Sequence, residues 1–195
     1  MEYLDLLDSS GRPVGKTKLK SEVHRDGDWH GAAHVWILNR KGQILIQRRS
    51  PTKENWPNLW DVSVAGHISA GEGPVEAALR EAQEELGITL GPGECRHLFT
   101  IAEQVTLNNG SYVDNEHHHA FLVERDLDVG DLKFSDGEVA EVRFVAVREL
   151  QTDLTTDPSG FVPHREEYRK LFEVLRTAAR ESSNLSNKDA ALNQD

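Results

Sequence analysis

Apolar positions along this chain fall into short alternating runs broken by two longer helical stretches. Around residues 30–38, Ala33, Val35 and Ile37 interleave with His34, Trp36 and Leu38, which predicts a strand buried on both faces from about His30 to Leu38. Arg40-Lys41-Gly42 is a turn, and Gln43 to Arg49 (QILIQRR) is the expected antiparallel mate in a hairpin. Upstream, YLDLL at 3–7 reads as a short strand, Asp8 to Gly11 as a turn cluster, and Val14 to Lys18 as the returning strand. The polar stretch SPTKENWPNLWD is expected to form an ordered loop leading into a short strand, Asp61 to Val64. Val75, Ala78, Leu79, Ala82 and Leu86 recur at helical spacing, Pro74 suits a first turn, and Gly87 suits the left-handed position just past the end. Arg96 to Leu107 and Ser111 to Glu124 read as two long strands joined by Asn108-Asn109-Gly110, a strong hairpin signal. Val139 to Val147 is another strand, and Arg165 to Ala179 an amphipathic helix burying Tyr168, Leu171, Phe172 and Leu175. From about Glu181 the chain turns small and polar, so 1–180 is expected to form one domain and 181–195 a disordered tail. The count of strands and helices predicts an α+β fold with a mixed β-sheet.

Composition narrows the partners. At 195 residues the chain is long enough for a proper core, and its net charge of −11 argues against a nucleic-acid-binding surface. An anionic substrate would need cations supplied at the site, as metal or as local Arg and Lys. The single cysteine, Cys95, fits a reducing compartment, and no apolar run approaches the roughly 18 residues of a membrane span. The acidic N-terminus lacks the pattern of a signal peptide, so a cytoplasmic protein without membrane or nucleic-acid partners is expected, as a monomer or homodimer.

The chemistry concentrates in GHISAGEGPVEAALREAQEELGI, residues 66–88. Glu81, Glu84 and Glu85 share one helix face, where like charges repel by roughly 0.2–0.5 kcal/mol per pair. Arg80 can pair with Glu84, but clustered carboxylates also suit a hard divalent cation. Acidic runs on helices are usually solvated faces; the whole string argues otherwise. It fits G-x5-E-x7-R-E-U-x-E-E-x-G-U, with U apolar, at Gly66, Glu72, Arg80, Glu81, Ala82, Glu84, Glu85, Gly87 and Ile88. This resembles the signature of the Nudix hydrolases. The resemblance implies an α/β/α sandwich and Mg2+ as cofactor, with Mn2+ a substitute. It implies Glu81, Glu84 and Glu85 as metal carboxylates, Gly66 as a backbone ligand, and Glu81 or Glu84 as base or water-orienter. Arg80 would orient the glutamates, and Glu72 would brace the loop at the helix start. The implied reaction is hydrolysis of a phosphoanhydride, in a small-molecule diphosphate linked to another moiety.

Over nearly all of residues 4–175 the chain also resembles the branch containing type I isopentenyl-diphosphate isomerase, through HGAAHVWILN, RRSPTKENWPNLW and WDVSVAGHISAGE. EVHRDGDWH and AGHISAG are similar to the N-terminal domain of plant Nudix proteins. In the isomerases three histidines and two glutamates hold a metal, and the matching positions are His24, His30, His67, Asp114 and Glu116. Asp114 stands where the isomerases have glutamate, and the gap from His24 to His30 is one residue shorter. Period-two spacing puts Asp114, Glu116 and His118 on one strand face and His117 and His119 on the other; a solvated strand edge is the alternative. Where the isomerases place an acid–base cysteine this chain has Ala65, and its Nudix box is intact rather than degenerate, which favours hydrolase over isomerase. An isoprenoid diphosphate or a nucleotide derivative could be the molecule hydrolysed. A non-catalytic sensing module, the remaining alternative, usually loses box glutamates that this chain keeps. For substrate binding, Arg48, Arg49 and Lys53 are candidates for the distal phosphate, with at most one of the two arginines facing the pocket. Trp56 and Trp60 are candidates for stacking a base or lining a prenyl pocket, and Trp36 belongs to the core.

Overall fold

The order of elements is β1 (Tyr3–Leu7), β2 (Pro13–Leu19), α1 (Lys20–Asp26), β3 (Trp29–Leu38), β4 (Gln43–Arg49), β5 (Trp60–Asp61) and β6 (Val64–His67). Then follow α2 (Pro74–Leu86), β7 (Arg96–Leu107), β8 (Tyr112–Glu124), β9 (Val139–Ala146), α3 (Val147–Thr156) and α4 (Arg165–Leu192). The structure, a computed structural model, describes residues 1–135 and 137–192, with the side chains of α4 described through residue 178. The chain divides into two units, Met1–Pro163 and His164–Asp195. The second is α4, whose first turns carry Arg169 paired with Glu166 and Glu173. This helix continues past Ala179; the tail expected over 181–195 lies outside the residues whose side chains are described.

In the first unit β3 is the axis of a mixed sheet. It pairs in parallel with β8 along its whole length and antiparallel with β6 on the other edge. Odd-numbered residues of β3 and β8, Ala33, Val35, Ile37, Phe121 and Val123, pack with Leu45 and Val142 against Ala77, Ala78, Ala82 and Leu86 of α2. Three alanines on the inner face of α2 let helix and sheet approach closely. The helix runs over the predicted residues, with Pro74 in its first turn and Gly87 at φ 69°, its N–H donating to Gln83 O at 3.1 Å. Even-numbered β3 and β8 side chains, including His30, His34, Asp114, Glu116 and His118, face the other way.

Three expectations need correcting. The hairpin of β3 and β4 closes at its turn, Leu38 opposite Ile44, and then opens, because β4 pairs along its length with β9 instead. Ser63 fills the gap: its hydroxyl accepts Ile37 N–H at 2.9 Å and donates to Leu45 O at 2.6 Å, bridging the parted strands. The strand expected over Asp61 to Val64 is two, β5 and β6, separated at Val62–Ser63 by that same insertion. Helices α1 and α3 were not expected. Both follow directly on strands, after Leu19 and Ala146, with no side-chain cap to announce them.

Candidate functional site

Arg80 is the hub of the acidic cluster. Its Nε donates to Glu72 Oε1 at 3.0 Å and its Nη2 to Glu72 Oε2 at 2.9 Å, a two-pronged pair across the loop before α2. The same Nη2 donates to His67 O at 2.9 Å, while Nη1 reaches Glu81 Oε1 at 2.7 Å and Glu84 Oε2 at 3.0 Å. Glu72 also accepts Ser69 N–H at 3.1 Å, so it ties the loop to the helix. Although burial alone would raise the Glu72 carboxyl, Arg80 and the Ser69 amide hold it below the usual range. Arg80 is thus bonded at once to Glu72, Glu81, Glu84 and the His67 carbonyl.

The carboxylates differ in environment. Glu85 is 2% exposed, and its Oε2 accepts Gln47 Nε2 at 3.0 Å and Ala65 N–H at 3.1 Å. Glu84 is half exposed. Glu81 lies flat against Gly66, where a Cβ would fall 2.0 Å from its Cδ, so only glycine lets that carboxylate approach the backbone of β6. Burial pushes the Glu81 carboxyl up to about 6, with Glu84 adding to the rise and Arg80 opposing it. Carboxylate oxygens held beside the β6 backbone are the kind of donor that hard divalent cations take. Among the described residues, the oxygens of these three glutamates do not all lie within 4.8 Å of one another.

On the opposite face of the sheet, His24, His30, His67 and Asp114 do bring one ligand atom each within 4.8 Å of the others. They come from α1, β3, β6 and β8. His24 Nδ1 donates to Lys20 O at 2.8 Å and His30 Nδ1 to Asp28 O at 3.1 Å, which leaves each Nε2 turned inward. His24 Nε2 lies 3.2 Å from Asp114 Oδ1; His30 Nε2 and His67 Nε2 lie 3.4 and 3.3 Å from Glu116 Oε1. Three of these atoms, His24 Nε2, His30 Nε2 and Asp114 Oδ1, are buried without a hydrogen bond. Buried polar atoms are rarely left so, and their convergence fits a cation. Burial drives His67 well below its ordinary pKa, into the neutral form that ligates metal; at His30, Glu116 outweighs burial and the shift is upward. Adjacent residues of β6 therefore serve the two faces: Gly66 meets Glu81, and His67 meets Glu116.

The candidate phosphate ligands are already paired. Arg48 Nη2 meets Glu141 Oε2 at 2.9 Å, Arg49 Nη1 meets buried Asp61 at 2.9 Å while its guanidinium also donates to Asn55 O, and Lys53 pairs with Glu138. Trp60 is covered by the Arg143 guanidinium at 4.5 Å. Trp36 is fully buried, as expected of core, and Trp56 holds φ at 52°, an uncommon backbone state for a bulky residue. Sequence reasoning missed Gln47, which fixes Glu85, and Tyr112, whose ring stacks on His24 at 4.3 Å. A polar residue at an inward position of QILIQRR was the signal for Gln47; Tyr112 carried none.

The NUDIX domain family model matches residues 28–165. The chain is 37% identical over 180 residues to Nudix hydrolase 3 of Arabidopsis thaliana, covering 90% of this chain but only 23% of that protein. It is 38% identical over 164 residues to an uncharacterised Nudix hydrolase of Listeria monocytogenes, covering 84% of this chain and 90% of that one. It is 31% identical over 162 residues to an isopentenyl-diphosphate Delta-isomerase of Escherichia coli, covering 83% and 86%. Among solved structures, DR0079 of Deinococcus radiodurans superposes with a TM-score of 0.67 at 24% identity, covering 87% of this chain and 98% of that one, a likeness of fold.

Proposed function

The chain belongs to the NUDIX domain family, and from that premise we propose that it is a Mg2+-dependent hydrolase of a small diphosphate linked to another moiety. The observation that carries this reading is the intact set of box glutamates, with Glu72, Glu81 and Glu84 gathered by Arg80, Glu85 held by Gln47 and the Ala65 amide, and Gly66 leaving room for Glu81 at the β6 backbone. Glu81, Glu84, Glu85 and the Gly66 carbonyl would hold Mg2+. The ion supplies charge neutralisation on the diphosphate and a more acidic bound water. Arg80 keeps Glu81 and Glu84 from repelling each other apart, and Gln47 with the Ala65 amide fixes Glu85. Arg48 and Lys53, whose partners Glu141 and Glu138 are half exposed, are the cations able to exchange onto a distal phosphate; Arg49 is committed to buried Asp61.

The second face extends the proposal. His24, His30, His67, Asp114 and Glu116 would hold another divalent ion, one suited to imidazole ligands. With the isomerase among the relatives, an isoprenoid diphosphate is the leading substrate class, hydrolysed rather than isomerised because Ala65 carries no exchangeable proton. The test is a Mg2+ and Mn2+ screen over isoprenoid diphosphates, nucleotide sugars, dinucleotides and nucleoside triphosphates, with product identification. Hydrolysis of one class, lost in the Glu84→Gln/Glu85→Gln double variant with its fold retained, is the expected result. A fully active double variant sinks the assignment. Deuterium entering dimethylallyl product without phosphate release would move the reading to an isomerase centred on the histidine cluster.

A further inference from the structure

Glu116 uses its two oxygens differently. Oε1 faces His30 Nε2 and His67 Nε2, and Oε2 faces His118 Nε2 at 2.9 Å. A carboxylate oxygen accepts, so His118 donates. His118 follows Glu116 by two on β8 and points to the same face. It is 1% exposed, so water does not compete for that bond, and its ring is held by the His34 ring at a centroid distance of 4.1 Å. Its other nitrogen, Nδ1, lies 3.5 Å from a carboxylate oxygen of Glu103 on β7. The imidazole is thus buried between the His34 ring and Glu103, with its Nε2 bonded to Glu116.

We infer that His118 is a positioning residue that restricts Glu116 to one oxygen towards the His24, His30, His67 and Asp114 cluster, and that it thereby sets which divalent ion the cluster prefers. The inference rests on the reading that this cluster holds a divalent ion. A Glu116 giving one oxygen beside three imidazoles and Asp114 makes at most five ligands, three of them nitrogen, which suits ions such as Zn2+ and Co2+ that accept fewer ligands and favour imidazole. One free to give both oxygens raises the ligand number and the oxygen share, which suits Mn2+. Hydrogen bonds to ligating groups typically change metal affinity by about 10–100-fold when lost.

The experiment titrates metal-depleted protein with Zn2+, Co2+ and Mn2+ by calorimetry and follows Co2+ by its visible absorption. Binding that disappears in His24→Ala defines the cluster's share. His118→Leu removes the donor, and His118→Gln keeps one. The expected result is a fall of about tenfold or more in the ratio of Zn2+ to Mn2+ affinity and an altered Co2+ spectrum for His118→Leu, with His118→Gln restoring both substantially. Identical ratios and spectra in wild type and His118→Leu overturn the inference. Absence of any His24-dependent binding in the wild type instead overturns the metal reading beneath it. Should His118→Leu not fold, 15N NMR of histidine-labelled wild type decides: His118 Nε2 is expected to keep its proton after Zn2+ loading while His24, His30 and His67 acquire metal-bound shifts. A metal-bound shift at His118 Nε2 overturns the inference, because His118 would then be a ligand itself.

Discussion

Gly66 lacks a side chain where Glu81 already fills the space, and this makes it the most informative single position for the acidic cluster. Gly66→Ala puts a Cβ 2.0 Å from Glu81 Cδ, so either the carboxylate swings away or β6 shifts. Because Glu81 must then leave its place against Gly66, turnover should fall by roughly 10²-fold or more, as for other misplacements near 1 Å. Steady-state kinetics with circular dichroism checks this, and near-normal kcat/KM counts against Gly66 as part of the cradle. Glu81 itself predicts a pH dependence. Its folded carboxyl sits near 6, above the ordinary value of 4.5, so protonation favours the folded state. Its stabilising effect is complete below about 4.5 and is lost as pH rises through about 6. Mg2+ competes with that proton, so the rise in Tm caused by Mg2+ should grow between pH 5 and pH 7 and level off above, roughly bracketing the Glu81 carboxyl. A Mg2+ increment independent of pH across that range removes Glu81 from the ligand set. The glycine, the arginine and the glutamates were legible in the sequence because the motif is local. Gln47 was not, because its role depends on a helix 38 residues away.

At the scale of elements, Ser63 explains why β3 and β4 part after their turn. Both edges of β3 are taken, by β8 and β6, and β4 is free to pair with β9. The bridging hydroxyl satisfies a buried N–H and a buried carbonyl that neither strand satisfies alone. Ser63→Ala leaves both unpaired, and each buried unsatisfied group costs about 1–3 kcal/mol. Loss of about 2 kcal/mol or more in urea unfolding, without change in the slope, is the expected outcome. A loss within 0.5 kcal/mol, the typical scale for neutral surface changes of about that size, would show that the strands close over the gap. Periodicity located the strands well, since burial alternates with residue parity. It could not name their partners: alternation fixes which face a residue occupies, and long-range register decides which strand lies beside it. Helices α1 and α3 escaped for a related reason. α1 is short and exposed over much of its length, so no apolar stripe marks it, yet it delivers His24. α3 does carry Val147, Leu150 and Leu154 at helical spacing, but it follows β9 without a break or a cap, so its start is hidden in the strand's apolar run.

Across the molecule, a chain of net charge −11 gathers a glutamate cluster and a histidine–carboxylate cluster on opposite faces of one edge strand, the two centres proposed to take cations. Gly66 and His67 are consecutive, and Arg80 donates both to the His67 carbonyl and to Glu72, Glu81 and Glu84. A shift of β6 in response to a cation at one centre must therefore move a group at the other. Bound cations stabilise only the folded chain, by about 2.7 kcal/mol at a hundred times Kd, so chelation should lower Tm. The two centres can be separated by a cycle of His24→Ala, Glu85→Gln and the double variant, each melted with saturating Mg2+ plus Zn2+ and again with chelator. Independent sites would give metal-dependent losses that add within about 0.3–0.5 kcal/mol. The shared strand and guanidinium predict a larger interaction, in the range of about 0.5–3 kcal/mol seen for residues in one hydrogen-bonded network. Arg80→Lys should reduce that interaction, because an ammonium cannot hold the His67 carbonyl and three carboxylates in one planar fork. Strict additivity in the wild-type background would show that β6 is rigid and that the two faces work separately.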